Sequence, residues 1–129
     1  MFTSSGTNEL DASIMNGQNG QAGVVAGLTN IKNPIDAAIS VMEHPPHVFL
    51  IGKGAKEFAV IHGMDTVPQR NFFNEYRYQE HLVGLNEDKT KFGTVGAVAI
   101  DRNGNITAGT STGRMNNKRF GRLGDVPVI

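Results

Sequence analysis

Three short stretches in the last third of this 129-residue chain carry residue types that could do covalent chemistry. The first is Gly93-Thr94-Val95-Gly96. A threonine hydroxyl is a weak nucleophile, but breakage of the Gly93–Thr94 bond would leave a free α-amino group on the same residue. Such an amine has a pKa near ~8 and can act as the base for its own side chain. A nucleophile and base in one residue need neither His nor Cys, which suits a chain with no Cys at all. The second stretch is Thr110-Ser111-Thr112-Gly113, where Thr112 could orient or polarise the Thr94 hydroxyl. The third is Gly121-Arg122-Leu123-Gly124-Asp125, with one cation and one anion three residues apart. A guanidinium fork for an α-carboxylate and a carboxylate for an α-ammonium would together suit an amino-acid head group.

The elements around them must bring these stretches together. Thr94 to Asp101 and Asn105 to Ser111 flank Arg102-Asn103-Gly104 and predict a hairpin, which returns Thr112 to the start of its first strand, beside Thr94. That first strand has almost no polar outward position, so it is expected inside a layered core. Upstream, Glu9 to Met15 alternates Leu10, Ala12 and Ile14 with Glu9, Asp11 and Ser13, a strand pattern. Asn16-Gly17 is expected to form its tight turn, and Gln21 to Leu28 to return as a strand buried on both faces. Asn33-Pro34 opens a helix, with an apolar stripe at Ile35, Ala38, Ile39 and Met42, and Pro45-Pro46 ends it. His47 to Ile51 reads as a buried strand. Gly54 to His62 reads as a second helix closed by Gly63, and Asn71 to Leu82 as a third, more polar one. Residues 83–93 read as an exposed linker, and 113–129 as loop. Hairpins require antiparallel pairing, so this mix of strands and helices predicts an α+β fold and not a purely parallel one.

Other features carry blander readings. His44 and His47 lie three apart across two prolines, a poor geometry for two metal ligands on one helix face. His62 and His81 stand singly near helix ends. Gly52-Lys53-Gly54 lacks the spacing of a phosphate loop, and Phe72, Phe73, Tyr76 and Tyr78 read as packing. Thr94, Thr112, Arg122 and Asp125 themselves also fit a strand opening on a β-branched residue, a threonine-rich edge and a surface ion pair. Spacing alone leaves both readings open.

Composition narrows the partners. Twelve Lys and Arg balance twelve Asp and Glu, which argues against a nucleic-acid or membrane-surface binder. The apolar fraction of 39% fits a single globular domain. No apolar run approaches the ~20 residues that span a bilayer, and the start, Phe2-Thr3-Ser4-Ser5, lacks the features of a signal peptide. A cytoplasmic location is the expectation, with the periplasm open for a longer parent protein. No cofactor and no metal are expected.

At this point the residues resemble a known family. GTVGAVAIDRNGNITAGTSTG followed by NKRFGRLGDVPVI is similar to the plant-type L-asparaginases, or isoaspartyl peptidases, which are N-terminal-nucleophile hydrolases. NELDASIMNGQNGQAGVVAGLTNIKNPIDAA and HVFLIGKGAKEFA resemble the segment before the cleavage point in that family. The resemblance implies a four-layer αββα sandwich, incomplete here at both ends, and self-cleavage between Gly93 and Thr94. Residues 1–93 would then belong to one subunit and 94–129 to the start of the next, in an (αβ)2 assembly. It implies hydrolysis of L-asparagine or β-aspartyl dipeptides, with Thr94 as nucleophile, Thr112 as its hydroxyl partner, Arg122 on the substrate carboxylate and Asp125 on its amine. Arg114 replaces a usual Gly and Val126 a usual Ser. A glycosylasparaginase-like enzyme and a non-catalytic fragment are the alternatives. The family's oxyanion-hole Thr-Gly pair and sodium-holding loop are expected outside these residues, so the chain alone would be impaired.

Overall fold

The computed structural model describes residues 2–84, 93–113, 115–124 and 126. Among the described residues five strands form one mixed sheet: β1 (Leu10–Asn16), β2 (Ala22–Leu28), β3 (Phe49–Ile51), β4 (Thr94–Ile100) and β5 (Ile106–Thr112). Their spatial order is β3-β2-β1-β5-β4. All neighbours are antiparallel except the β2–β3 pair, which is parallel. The sheet is accompanied by helices α1 (Pro34–Glu43), α2 (Gly52–Ile61) and α3 (Glu75–Gly84). This is the α+β mix that the alternation of patterns predicts.

One face of the sheet meets α1 and α2. Ala12, Val25 and Leu28 from the strands join Ala37, Ala38, Val41, Ala55 and Ala59 from the helices in a core with essentially no solvent exposure. The apolar positions of β1, Leu10, Ala12 and Ile14, all turn to this face. The buried side of α1 centres on Ala37, Ala38 and Val41, not on the wider Ile35, Ile39 and Met42 stripe. The cause is close approach: a Cβ on Gly23 would lie 2.0 Å from the Ala38 carbonyl oxygen, so the helix rests on bare backbone there. Asn33 precedes α1 as expected, but its side chain makes no capping hydrogen bond.

Other expectations need correction. The β1–β2 turn is longer than Asn16-Gly17 predicts: positive φ falls at Gly20, where the amide donates to the Asn16 carbonyl at 2.8 Å. Gly17 instead lets the backbone reach across to β5, its amide donating to Ile106 O at 2.7 Å. The segment His47–Ile51 is not buried; it contributes only three residues to an edge strand, and Val48, Phe49 and Ile51 are exposed. Strand β4 is exposed at all seven positions. Both strands close the sheet at its ends, and an apolar pattern alone does not distinguish a central strand from an edge awaiting a cover. The third helix begins at Glu75, after a short 3₁₀ turn over Gln69–Phe72. Phe73 and Tyr78 pack with Phe2 and His81, whereas Tyr76 is exposed. Most of the expected linker, residues 85–92, lies outside the described residues.

Candidate active site

The register of β4 against β5 places Thr94 directly opposite Thr112. That register is set seven residues away, in the connecting turn. The Asp101 carboxylate accepts hydrogen bonds from the Asn103 amide (2.8 Å), the Asn105 amide (2.9 Å) and the Asn105 side-chain amide (2.8 Å). The Asn105 side chain chiefly, and then the backbone amides, hold this carboxyl below the usual carboxylate range. A slip of one residue would turn both threonines to the other face.

At the far end of the hairpin the geometry is compact. The Thr94 hydroxyl donates to Thr112 Oγ1 at 3.3 Å, and the Thr112 hydroxyl donates to the Gly93 carbonyl oxygen at 2.7 Å. One hydroxyl therefore accepts from the candidate nucleophile and donates to the carbonyl of the preceding peptide bond. Thr112 is buried. A cleft of about 480 Å³ opens beside the pair, with Leu10, Lys32, Phe72, Gly93 and Ser111 in its wall.

Across the next strand, Asp11 is the register partner of Thr112, and it has no solvent exposure. Its Oδ1 accepts the Gly27 amide at 2.7 Å. Ser13, also buried, lies in register with Thr110; the Ser13 hydroxyl donates to the Val126 carbonyl at 2.7 Å and accepts from the Thr110 hydroxyl at 2.7 Å. Thus the polar positions of β1, Asp11 and Ser13, share the sheet face of Thr94 and Thr112 and do not look out to water. Sequence reading missed both residues. The alternation that assigns them a common face was the available signal.

The chain after β5 is tied down from several sides. Asn116 accepts the Phe2 amide at 2.9 Å, Asn117 donates to His81 O at 3.0 Å, and buried Lys118 is ion-paired with Glu9. Lys118 is therefore an anchor. Arg122 lies on the exposed stretch beyond it. A Cβ on Gly124 would lie 3.9 Å from Asp11 Oδ2, so this stretch returns over the site face. Asp125, expected to pair with a substrate amine, and Arg114 lie outside the described residues. Among the described residues no cluster of three or more His, Cys, Asp or Glu could hold a metal ion, and no helix is long and apolar enough to cross a membrane.

Comparison with known proteins agrees with the motif resemblance. The chain is 44% identical to the isoaspartyl peptidase of Escherichia coli K12, covering all of this chain and 44% of that protein. It is 41% identical to the isoaspartyl peptidase/L-asparaginase of Bos taurus over all of this chain and 44% of that one. For the mouse protein of the same name the identity is 45%, over 96% of this chain and 40% of the relative. The chain thus spans less than half the length of these relatives. The family model described as asparaginase matches residues 1–129 from end to end, and the chain belongs to the asparaginase family.

Proposed function

We propose that this chain is the part of a threonine-nucleophile amidohydrolase that contains its self-cleavage point. The observation that carries this reading is the Thr112 hydroxyl, set between the Thr94 hydroxyl and the Gly93 carbonyl oxygen. In the maturation step Thr94 Oγ1 attacks the Gly93 carbonyl carbon, its proton moving along the hydrogen bond to Thr112 as the Thr112 proton shifts toward the Gly93 carbonyl oxygen. Thr112 supplies a hydrogen bond to the oxygen on which negative charge develops. The C–N bond breaks, the nitrogen takes up the proton released from Oγ1, and an ester joins Gly93 to the Thr94 side chain. Water then adds hydroxide to the Gly93 carbonyl and returns hydrogen to Oγ1, leaving a Gly93 carboxylate and a Thr94 α-amine.

That amine removes the Thr94 hydroxyl proton in the second reaction. Oγ1 attacks the β-carbonyl of L-asparagine or a β-aspartyl dipeptide, and ammonia or the peptide amine departs with the proton. Water cleaves the resulting β-aspartyl ester to aspartate. Arg122 holds the substrate α-carboxylate and Asp125 its α-ammonium, as the family resemblance implies. The names of the relatives, isoaspartyl peptidase and L-asparaginase, support this substrate class.

The same reading makes the sheet one of two in a four-layer αββα sandwich. Its support is the face opposite α1 and α2, where Met15, Phe49, Ile51, Val98, Ile100 and Ile106 are exposed. An apolar sheet face of that extent calls for a second layer. Residues 1–93 and 94–129 then fall in different subunits of an (αβ)2 assembly.

Intact mass and activity of the complete protein test the nucleophile. The parent is expected to give two species that sum to its mass plus one water, split between Gly93 and Thr94. Thr94→Ala is expected to remain uncut and to lose roughly 10⁴-fold or more of its aspartate release. Cleavage or turnover that persists in the variant overturns the assignment.

A further inference from the structure

Away from the threonine pair, the ends of two adjacent helices bring His44 and His62 together. Each is the residue that caps its helix, His44 after α1 and His62 after α2. Their ring centres are 4.4 Å apart, with planes tilted by 53°. We propose that this pair is a two-imidazole binding site for a borderline divalent transition metal, with water completing the coordination shell. The proposal is independent of the function proposed above.

The tautomers are fixed by the helix ends. His44 Nδ1 lies 2.8 Å from the Ser40 carbonyl oxygen, and His62 Nδ1 lies 2.8 Å from that of Phe58. A carbonyl oxygen only accepts, so each Nδ1 carries the hydrogen and each neutral ring keeps its lone pair on Nε2. Neither Nε2 has a hydrogen-bond partner among the described residues. An N–H donated to a carbonyl on one side, with the other nitrogen left open, is the arrangement in which histidine ligates metals.

Spacing and rigidity agree with shared ligation. With metal–nitrogen bonds of about 2.0–2.1 Å, two imidazoles bound cis to one ion have ring centres roughly 4.5–5 Å apart. The observed 4.4 Å lies at the short end of that range. His62 is stacked on Phe58 at 4.0 Å and 28° on its own helix, which restricts its rotation. His44 is exposed, so an ion can reach the pair from solvent. Two nitrogen donors without a carboxylate select nickel, copper or zinc over magnesium or calcium. A bound ion would bridge the C-terminal ends of α1 and α2.

Calorimetric titration of the untagged 129-residue chain with nickel chloride tests the site, with magnesium chloride as control. One nickel per chain is expected, bound roughly tenfold or more tighter than in either His44→Ala or His62→Ala, because the second ligand acts at high effective concentration. His47→Ala is expected to bind as the parent does. Nickel should also raise the thermal midpoint of the parent and of neither single variant. His44 is exposed, so His44→Ala keeps the test valid even if loss of the Phe58 stack unfolds the His62 variant. Nickel affinity in His44→Ala within twofold of the parent, no binding by the parent, or equal binding of magnesium overturns the proposal.

Discussion

The β1–β2 hairpin lies against α1, and its Ala12, Val24, Val25, Ala26 and Leu28 are excluded from water; among the described residues the β4–β5 hairpin has a strand neighbour on one side only, and β4 is exposed along its length. The two are similar in apolar content, yet they are held by different forces. In the first, close packing fixes position: the α1 backbone sits on Gly23 with no room for a methyl group. In the second, the ladder and the Asp101 turn fix it, and side-chain packing contributes little. The residues proposed to react belong to the second kind. Their alignment depends on backbone register and on a carboxylate at the opposite end of the hairpin.

Glycine substitutions can break or sharpen this contrast. Gly23→Ala is expected to have the largest effect. Its Cβ would fall 2.0 Å from Ala38 O and 2.6 Å from Met42 N, both helix backbone, so α1 must move. A loss of about 3 kcal/mol or more in urea unfolding is expected; a loss under 1 kcal/mol would show that the helix is not seated as described. Gly96→Ala, the corresponding change in β4, is expected to shift stability by less than about 0.5 kcal/mol. There the new methyl group meets Thr110 Cγ2 at 3.4 Å and the Gly109 carbonyl oxygen at 3.9 Å, both ordinary contacts. Equal losses in the two variants would erase the distinction between the hairpins.

Acid titration addresses the weaker hold. The Asp101 carboxyl titrates below its ordinary value because its hydrogen bonds favour the charged form. A lowered folded-state pKa gives stabilisation that is present above the unfolded value near ~3.9 and lost as pH falls through the lower folded value. The stability difference between the parent and Asp101→Asn should therefore be constant from neutral pH down to about 5 and shrink in stronger acid. A difference that grows on acidification would contradict the turn geometry.

Much of the scaffold was legible because local pattern and final environment agree. Leu10, Ala12 and Ile14 alternate and do face the helices, and Asn33-Pro34 and Gly63 do bound helices. The Thr94–Thr112 juxtaposition follows from a hairpin with a short turn. What escaped has non-local causes. Asp11 and Ser13 occupy the polar side of an alternating strand, which on an isolated sheet would face water; loop residues more than a hundred positions later make that side part of the site. Lys118 is buried because Glu9, distant in sequence, meets it. Phe2 nests among Phe73, Tyr78 and His81, which no window of sequence brings together. The exposure of the edge strands likewise depends on what lies beside them, which periodicity does not encode.

The outer edge of β4 has a colloidal consequence. Seven residues, Thr-Val-Gly-Ala-Val-Ala-Ile, present a ladder of amides and carbonyls without a charge or a proline to interrupt it. Such a seam templates addition of another strand, with β-branched residues supplying the contact between copies. For the 129-residue chain, concentration should then matter as much as temperature to its persistence as a monomer. Light scattering that rises steeply with concentration in the parent, and is suppressed by Val98→Lys, would identify this seam as the origin; scattering unchanged by the lysine would place it elsewhere.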